Sequence, residues 1–89
     1  MAKELIFTER FKKNFKKLPR SIQQQFDHKL ELFLSNPRHP SLNIHRYHGV
    51  EAVWEAYISK QYRFTFSFTP ENIIFRNIGP HQIIDSGDV

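Results

Sequence analysis

The densest run of chemically capable residues lies between His45 and Phe66, HRYHGVEAVWEAYISKQYRFTF. His45, Arg46 and His48 precede Gly49, and Glu55, Tyr57 and Arg63 follow among apolar neighbours. An imidazole moves protons near neutral pH. A guanidinium grips two phosphate oxygens at once. A carboxylate takes up a proton, and a tyrosine ring stacks on a base or fixes an orientation. The set therefore suits proton transfer at a bound phosphate. The His45-x-x-His48 spacing is ligand-like, but no third ligand or helical setting accompanies it, so no metal and no cofactor is expected. Each residue also has a plain reading. Glu55 and Arg63 can form a cross-strand ion pair, Tyr57 and Trp54 can be packing residues, and His45 and His48 can be ordinary surface groups.

The rest of the composition limits what could hold these groups. A length of 89 residues predicts one domain over 1–89, with a modest core. Nine Phe, three Tyr and one Trp can still build that core. The absence of cysteine excludes a disulfide scaffold and any thiolate nucleophile. A formal charge of +4 favours an anionic partner, nucleic acid first. No apolar stretch approaches the roughly 18 residues that span a bilayer, and MAKELIFTERF has no apolar run of signal-peptide length. A cytoplasmic protein with no membrane contact is the expectation.

The elements that must position the candidates can be read from periodicity. ELIFT, Glu4 to Thr8, predicts a short strand, and Thr8 can cap a helix from Glu9 to Leu18. Phe11, Phe15 and Leu18 share one face of it, while Lys12, Lys13, Lys16 and Lys17 spread over the remainder. Those lysines are either a solvated face or a contact to RNA. Pro19 breaks the helix, and Ser21 with Gln24 has the form of a capping box. A second helix then runs to about Leu34 with Ile22, Phe26, Leu30 and Phe33 as its apolar stripe. After NPRHP the period changes to 2. A short strand is possible within Ile44 to His48. Val53 to Ser59 places Trp54, Ala56 and Ile58 opposite Glu55, Tyr57 and Ser59. Tyr62 to Phe68 places its aromatics opposite Arg63, Thr65 and Ser67. Ile73 to Ile78 is apolar on both faces and reads as a central or covered strand. The expected fold is α+β: an N-terminal strand, a helical hairpin, then a three- to four-stranded antiparallel sheet with the helices on one face. Glu55, Tyr57 and Arg63 would then cluster on the open face.

Taken in order, four segments of the chain resemble the RelE/ParE superfamily of bacterial toxins. They are FKKNFKKLP (Phe11–Pro19), NPRHPSL (Asn36–Leu42), WEAYISKQYRFTF (Trp54–Phe66) and GPH (Gly79–His81). The chain is more similar to the YafQ-like endonucleases than to RelE, which relies on several lysines and arginines. Here Lys60 is the only lysine after position 29. The resemblance implies a catalytic role for His81, by the G-x-H segment of YafQ. Glu55 falls near a YafQ aspartate, Tyr57 near a YafQ histidine, and Arg63 on a functional arginine of YoeB. Asp85 stands where YafQ carries a functional aromatic.

The resemblance implies a type II toxin that cuts mRNA on the ribosome and is neutralised by an antitoxin in a hetero-oligomer. The alternatives it leaves are a ParE-like gyrase inhibitor and a non-toxic, DNA-bound regulator. Metal-free cleavage uses the ribose 2′-hydroxyl as nucleophile. It needs a base, an acid at the leaving 5′-oxygen and a cation on the phosphoryl oxygens. His81 suits the acid and Arg63 the phosphate, while Glu55, His45 and His48 are candidate bases. Tyr57 would stack or orient. Arg46, Lys60, Arg76 and the lysines of the first helix are candidate RNA contacts.

Overall fold

Thr8 joins the first two elements of the chain. A computed structural model describes residues 3–87 and Val89. Strand β1 is Glu4–Phe7 and helix α1 is Glu9–Lys16. The Thr8 hydroxyl oxygen accepts the Phe11 N–H at 3.1 Å, as an N-cap does. It also lies 3.0 Å from the carbonyl oxygens of both Phe75 and Arg76. Helix α1 ends at Lys16, two residues before Leu18. Its last turn tightens, with Lys17 N bonded to Asn14 O and Leu18 N to Phe15 O, because Pro19 bars Leu18 from continuing the helix.

Helix α2 is Arg20–Ser35. The expected capping box of Ser21 and Gln24 does not form. Pro19 is the N-cap, and Ser21 lies inside the first turn. Gln23 acts in its place, its Nε2 donating to the carbonyls of Phe15 (3.0 Å) and Leu18 (3.3 Å). These carbonyls lie at the end of α1, beyond the last full i→i−4 bonds, so one side chain ties the two helices together. A 3₁₀ turn follows at Pro40–Leu42.

The strands β2 (His45–Arg46), β3 (Trp54–Tyr57), β4 (Tyr62–Phe68) and β5 (Asn72–Pro80) complete a sheet of order β1-β5-β4-β3-β2. Expectation and structure differ here. The sheet has five strands and is mixed, since β1 pairs in parallel with β5 from Glu4↔Asn72 to Phe7↔Phe75. A parallel pair needs a long crossover, and the intervening elements supply it. β3 is shorter than Val53 to Ser59, and β5 is longer than Ile73 to Ile78. β5 is an interior strand, paired with β1 on one side and β4 on the other, in keeping with its two apolar faces. A short helix α3, His81–Asp85, follows β5 and was not anticipated.

One face of the sheet carries the helices. Phe11, Phe26 and Phe33 pack on Ala56, Phe64, Phe66, Phe75 and Ile78. The rings meet largely edge to face, as at Phe26–Phe64 (5.3 Å, 87°). The register slips between Thr65 and Phe66, leaving Arg76 without a partner on β4. This bulge lets Phe75 and Ile78, three residues apart, both enter the helix-side core. The other face is only partly open. Val53, Ile84, Val89 and Tyr47 form a second, small cluster there, and Glu55, Thr65 and Asn77 are buried polar residues.

Candidate active site

Strand register sets out the polar face as two adjoining rows. His45, Glu55, Thr65 and Asn77 stand in one, and Tyr57, Arg63 and Gly79 in the next. The alternation of β3 and β4 that puts Ala56 and Phe64 into the core turns these residues the other way. Gly49, at φ +91°, occupies the turn between β2 and β3 in a conformation that only glycine adopts without strain.

The ion pair of Glu55 with Arg63 that adjacency suggested does not form. Glu55 pairs with His45 across β2 and β3, Nε2 to Oε1 at 2.6 Å. The other ring nitrogen, Nδ1, lies 2.6 Å from the Asn43 carbonyl oxygen. A carbonyl only accepts, so Nδ1 carries a proton and donates it. The Nε2–Oε1 contact then needs a second proton. The pair is either an imidazolium facing a carboxylate or an imidazole facing a carboxylic acid. Glu55 is 6% exposed, and its Oε2 is buried without a hydrogen-bond partner among the described residues, as is the hydroxyl of its register partner Thr65.

Arg63 serves the turn after β3. Its Nη1 donates toward the carbonyl oxygens of Ser59 (2.6 Å), Lys60 (2.8 Å) and Tyr62 (3.1 Å). Its guanidinium carbon lies 3.5 Å from the centre of the Tyr57 ring, a close cation–π contact. Tyr57 in turn meets the His45 ring edge to face at 6.0 Å. One corner of the guanidinium is thus engaged, while Nη2 and Nε carry no hydrogen bond among the described residues.

His81 opens α3. Its backbone N–H donates to Gln61 O at 2.7 Å, and its Nδ1 is 3.5 Å from Asp85 Oδ2 one turn on. Asp85 lines a cleft of about 260 Å³ together with His45, Arg46, Tyr47, His48 and Glu55. His45 and Glu55 thus line the cleft as a His–carboxylate pair, and Asp85 brings to it one member of a second pair, His81–Asp85 on α3. His48 is exposed on the same cleft with no hydrogen-bond partner among the described residues. The structure does not gather every candidate here. Lys60 is exposed in the β3–β4 turn, and Arg76 is half-buried at the bulge, its Nε without a partner among the described residues. Lys12, Lys13, Lys16 and Lys17 are exposed on α1, where Lys12 and Lys16 flank an apolar groove of about 340 Å³.

Sequence reasoning missed Tyr47 and the pairing role of Asp85. The Tyr47 hydroxyl donates to the Ile84 carbonyl and pins α3 to the loop after β2. Burial raises its pKa above the usual value. The charge of Glu55 adds to that, a Gly87 backbone hydrogen bond opposes it, and Asp85 raises it further. Tyr47 shares the period-2 face of His45, and Asp85 is four residues from His81, a helical neighbour. Both signals are legible once α3 is known. Among the described residues no three His, Cys, Asp or Glu side chains converge as metal ligands would, and no helix is long and apolar enough to cross a membrane.

No family model matches the sequence, and no curated protein matches it at a significant level. Solved structures do match. The DinJ–YafQ toxin–antitoxin complex of E. coli aligns with a TM-score of 0.80 at 12% identity, over 94% of this chain and 98% of that one. The RelB–RelE antitoxin–toxin complex of Methanococcus jannaschii aligns with a TM-score of 0.71 at 22% identity, over 91% and 95%. A mutant of the E. coli toxin RelE in the free state aligns with a TM-score of 0.65 at 24% identity, over 89% and 83%. A mixed five-stranded sheet, a helical hairpin on one face and a short helix at the other, matched across nearly the whole chain, make this the fold of the YafQ and RelE toxins.

Proposed function

We propose that the chain is the toxin of a toxin–antitoxin module. It is an endoribonuclease that cuts messenger RNA on the ribosome without a metal. The observation that carries this reading is a cleft lined by His45, His48, Glu55 and Asp85, in which Glu55 pairs with His45 and Asp85 with His81, while Arg63 stands in the adjoining row of the sheet. The 2′-oxygen attacks phosphorus as the bond to the 5′-oxygen breaks. His81 gives its proton to the departing 5′-oxygen, and Asp85 holds the ring. Arg63 offers Nη2 and Nε to the phosphoryl oxygens, braced by Tyr57 and the turn carbonyls. Glu55 is not the free base, because one oxygen is engaged and the other is shut away from solvent. His48, with unpartnered ring nitrogens in the cleft, takes the 2′-hydroxyl proton.

The proposed partner is a cognate antitoxin whose acidic segment covers basic surface on this chain and orders as it binds. The test is induced expression with primer-extension mapping of transcripts. Growth and translation are expected to stop, with cuts confined to translated messages. Relaxed plasmid DNA with intact transcripts would replace this reading with gyrase inhibition. Unaffected growth with intact transcripts would leave a regulator that has lost toxicity.

A further inference from the structure

Lys3, Arg46, Trp54 and Phe68 come from four separate stretches and meet at the margin of the helix-side face, away from the cleft floor. The Arg46 guanidinium carbon lies 5.3 Å from the Trp54 ring centre. Trp54 stacks on Phe68 at 5.9 Å and 25°. The Lys3 ammonium lies 5.6 Å from the Phe68 ring centre. The order along the strip is cation, aromatic, aromatic, cation. Phe68 is 51% exposed, Trp54 is half-buried, and both cations are exposed. Neither cation has a carboxylate within ion-pair distance among the described residues; the Lys3 ammonium donates to the Thr69 carbonyl oxygen, which leaves its charge unneutralised.

Cross-strand stacking accounts for Trp54 and Phe68 touching. It does not account for two uncompensated cations at the ends of an exposed aromatic pair. That combination suits a single nucleic-acid strand, whose bases stack on rings and guanidinium planes while its phosphates meet the cations. An acidic protein segment would meet the charges, but the stacked ring pair between them suits the flat faces of bases. Arg46 also lines the cleft, so the strip begins where the cleft ends, at the β2 edge.

We propose that Arg46, Trp54, Phe68 and Lys3 form a second RNA-binding surface, which holds a single strand as it leaves the cleft across β2. The route of the strand rests on the RNA reading above, but binding to the strip requires no cleavage. Lys3 is long enough to swing off Phe68, admit a base and keep its charge for the phosphate.

Trp54 is the only tryptophan of the chain, so its fluorescence reports on the strip directly. The full chain is titrated with an uncleavable 2′-O-methyl oligoribonucleotide of about ten nucleotides. A saturable fluorescence change is expected, and affinity should fall with salt by a slope of about 0.7 per phosphate contact. Arg46→Ala is expected to weaken binding and reduce that slope by about 0.7. Phe68→Leu keeps apolar bulk and loses the ring, and should weaken binding about 5- to 100-fold. Thermal unfolding checks each variant. If Phe68→Leu does not fold, the exposed double variant Lys3→Ala, Arg46→Ala carries the test. His81→Gln should bind as tightly as the unsubstituted chain, so failure of the chemistry and failure of the strip are separable. No fluorescence response, or a response unchanged in Arg46→Ala and Phe68→Leu, overturns the proposal. A response to an acidic peptide but not to the oligoribonucleotide overturns it in favour of a protein surface.

Discussion

The two faces of the sheet are built on opposite terms. The helix face is a field of phenylalanine rings, with Phe64 and Phe75 fully buried and their neighbours meeting at varied tilts. The other face buries Glu55, Thr65 and Asn77, leaves Glu55 Oε2 and Thr65 Oγ1 without partners among the described residues, and is roofed by one short helix. Burial stabilises through area and shape on the first face. On the second it costs, since each buried polar atom without a partner forfeits about 1–3 kcal/mol. A protein this small keeps such a face at the expense of stability, as a reactive site does. Substitutions should divide the same way: those on the ring face should act on stability, and those around the roofed face on rate.

The largest expected effect is on rate. His81→Gln is expected to lower single-turnover cleavage on programmed ribosomes by about two to four decades. Its unfolding free energy should shift by no more than about 0.5 kcal/mol. A folded His81→Gln chain that cuts at the unsubstituted rate removes His81 from the mechanism. The mirror experiment is Phe75→Ala, which empties a site touched by Phe7, Phe11 and Phe26. It is expected to cost about 3–5 kcal/mol in denaturant unfolding. The rate per folded molecule should be kept, and a fall in that rate too would erase the division between the faces.

Glu55 sharpens the contrast, because it is buried on the polar face. Glu55→Gln can still donate from its amide to a neutral His45 and should change stability by less than about 1 kcal/mol. Its cleavage should fall less than that of His81→Gln if Glu55 only holds His45. An equal fall would make Glu55 the base. The smallest expected effect concerns Tyr47. Its folded pKa is raised above the ordinary 10.0, chiefly by burial and next by Glu55. Its contribution to stability is therefore complete below about pH 10 and is lost as pH rises through the raised value. Tyr47→Phe should cost about 1 kcal/mol at neutral pH and flatten that alkaline loss in a series of urea titrations.

The ring face was legible because its signal is local. Phe11 and Phe15, or Ile22 and Phe26, repeat at helical spacing, and Phe64 alternates with Thr65, so periodicity alone assigns them to one core. The parallel pairing of β1 with β5 was not legible, since nothing in ELIF names its partner more than sixty residues on. The Ser21 capping box failed where Pro19 already set the backbone and Gln23 found better acceptors. At the site, residue types pointed to Glu55, Arg63, His45 and His81, and the alternation put Glu55 and Arg63 on the right face. Their partners depended on register and rotamer. Glu55 turned to His45, Arg63 to the turn carbonyls and Tyr57, and His81 to Asp85 on a helix too short for periodicity to reveal.

The link from Thr8 to Phe75 and Arg76 has a consequence for the newborn chain. A protein is synthesised from its N-terminus, so β1, α1 and α2 leave the ribosome with no strand for β1 to join. Its register partners, Asn72 to Phe75, are among the later residues made, and His81 follows them. Closure of the sheet thus coincides with arrival of the proposed acid. No earlier fragment holds both the closed sheet and His81, so the proposed chemistry has to wait for the strand that closes the sheet.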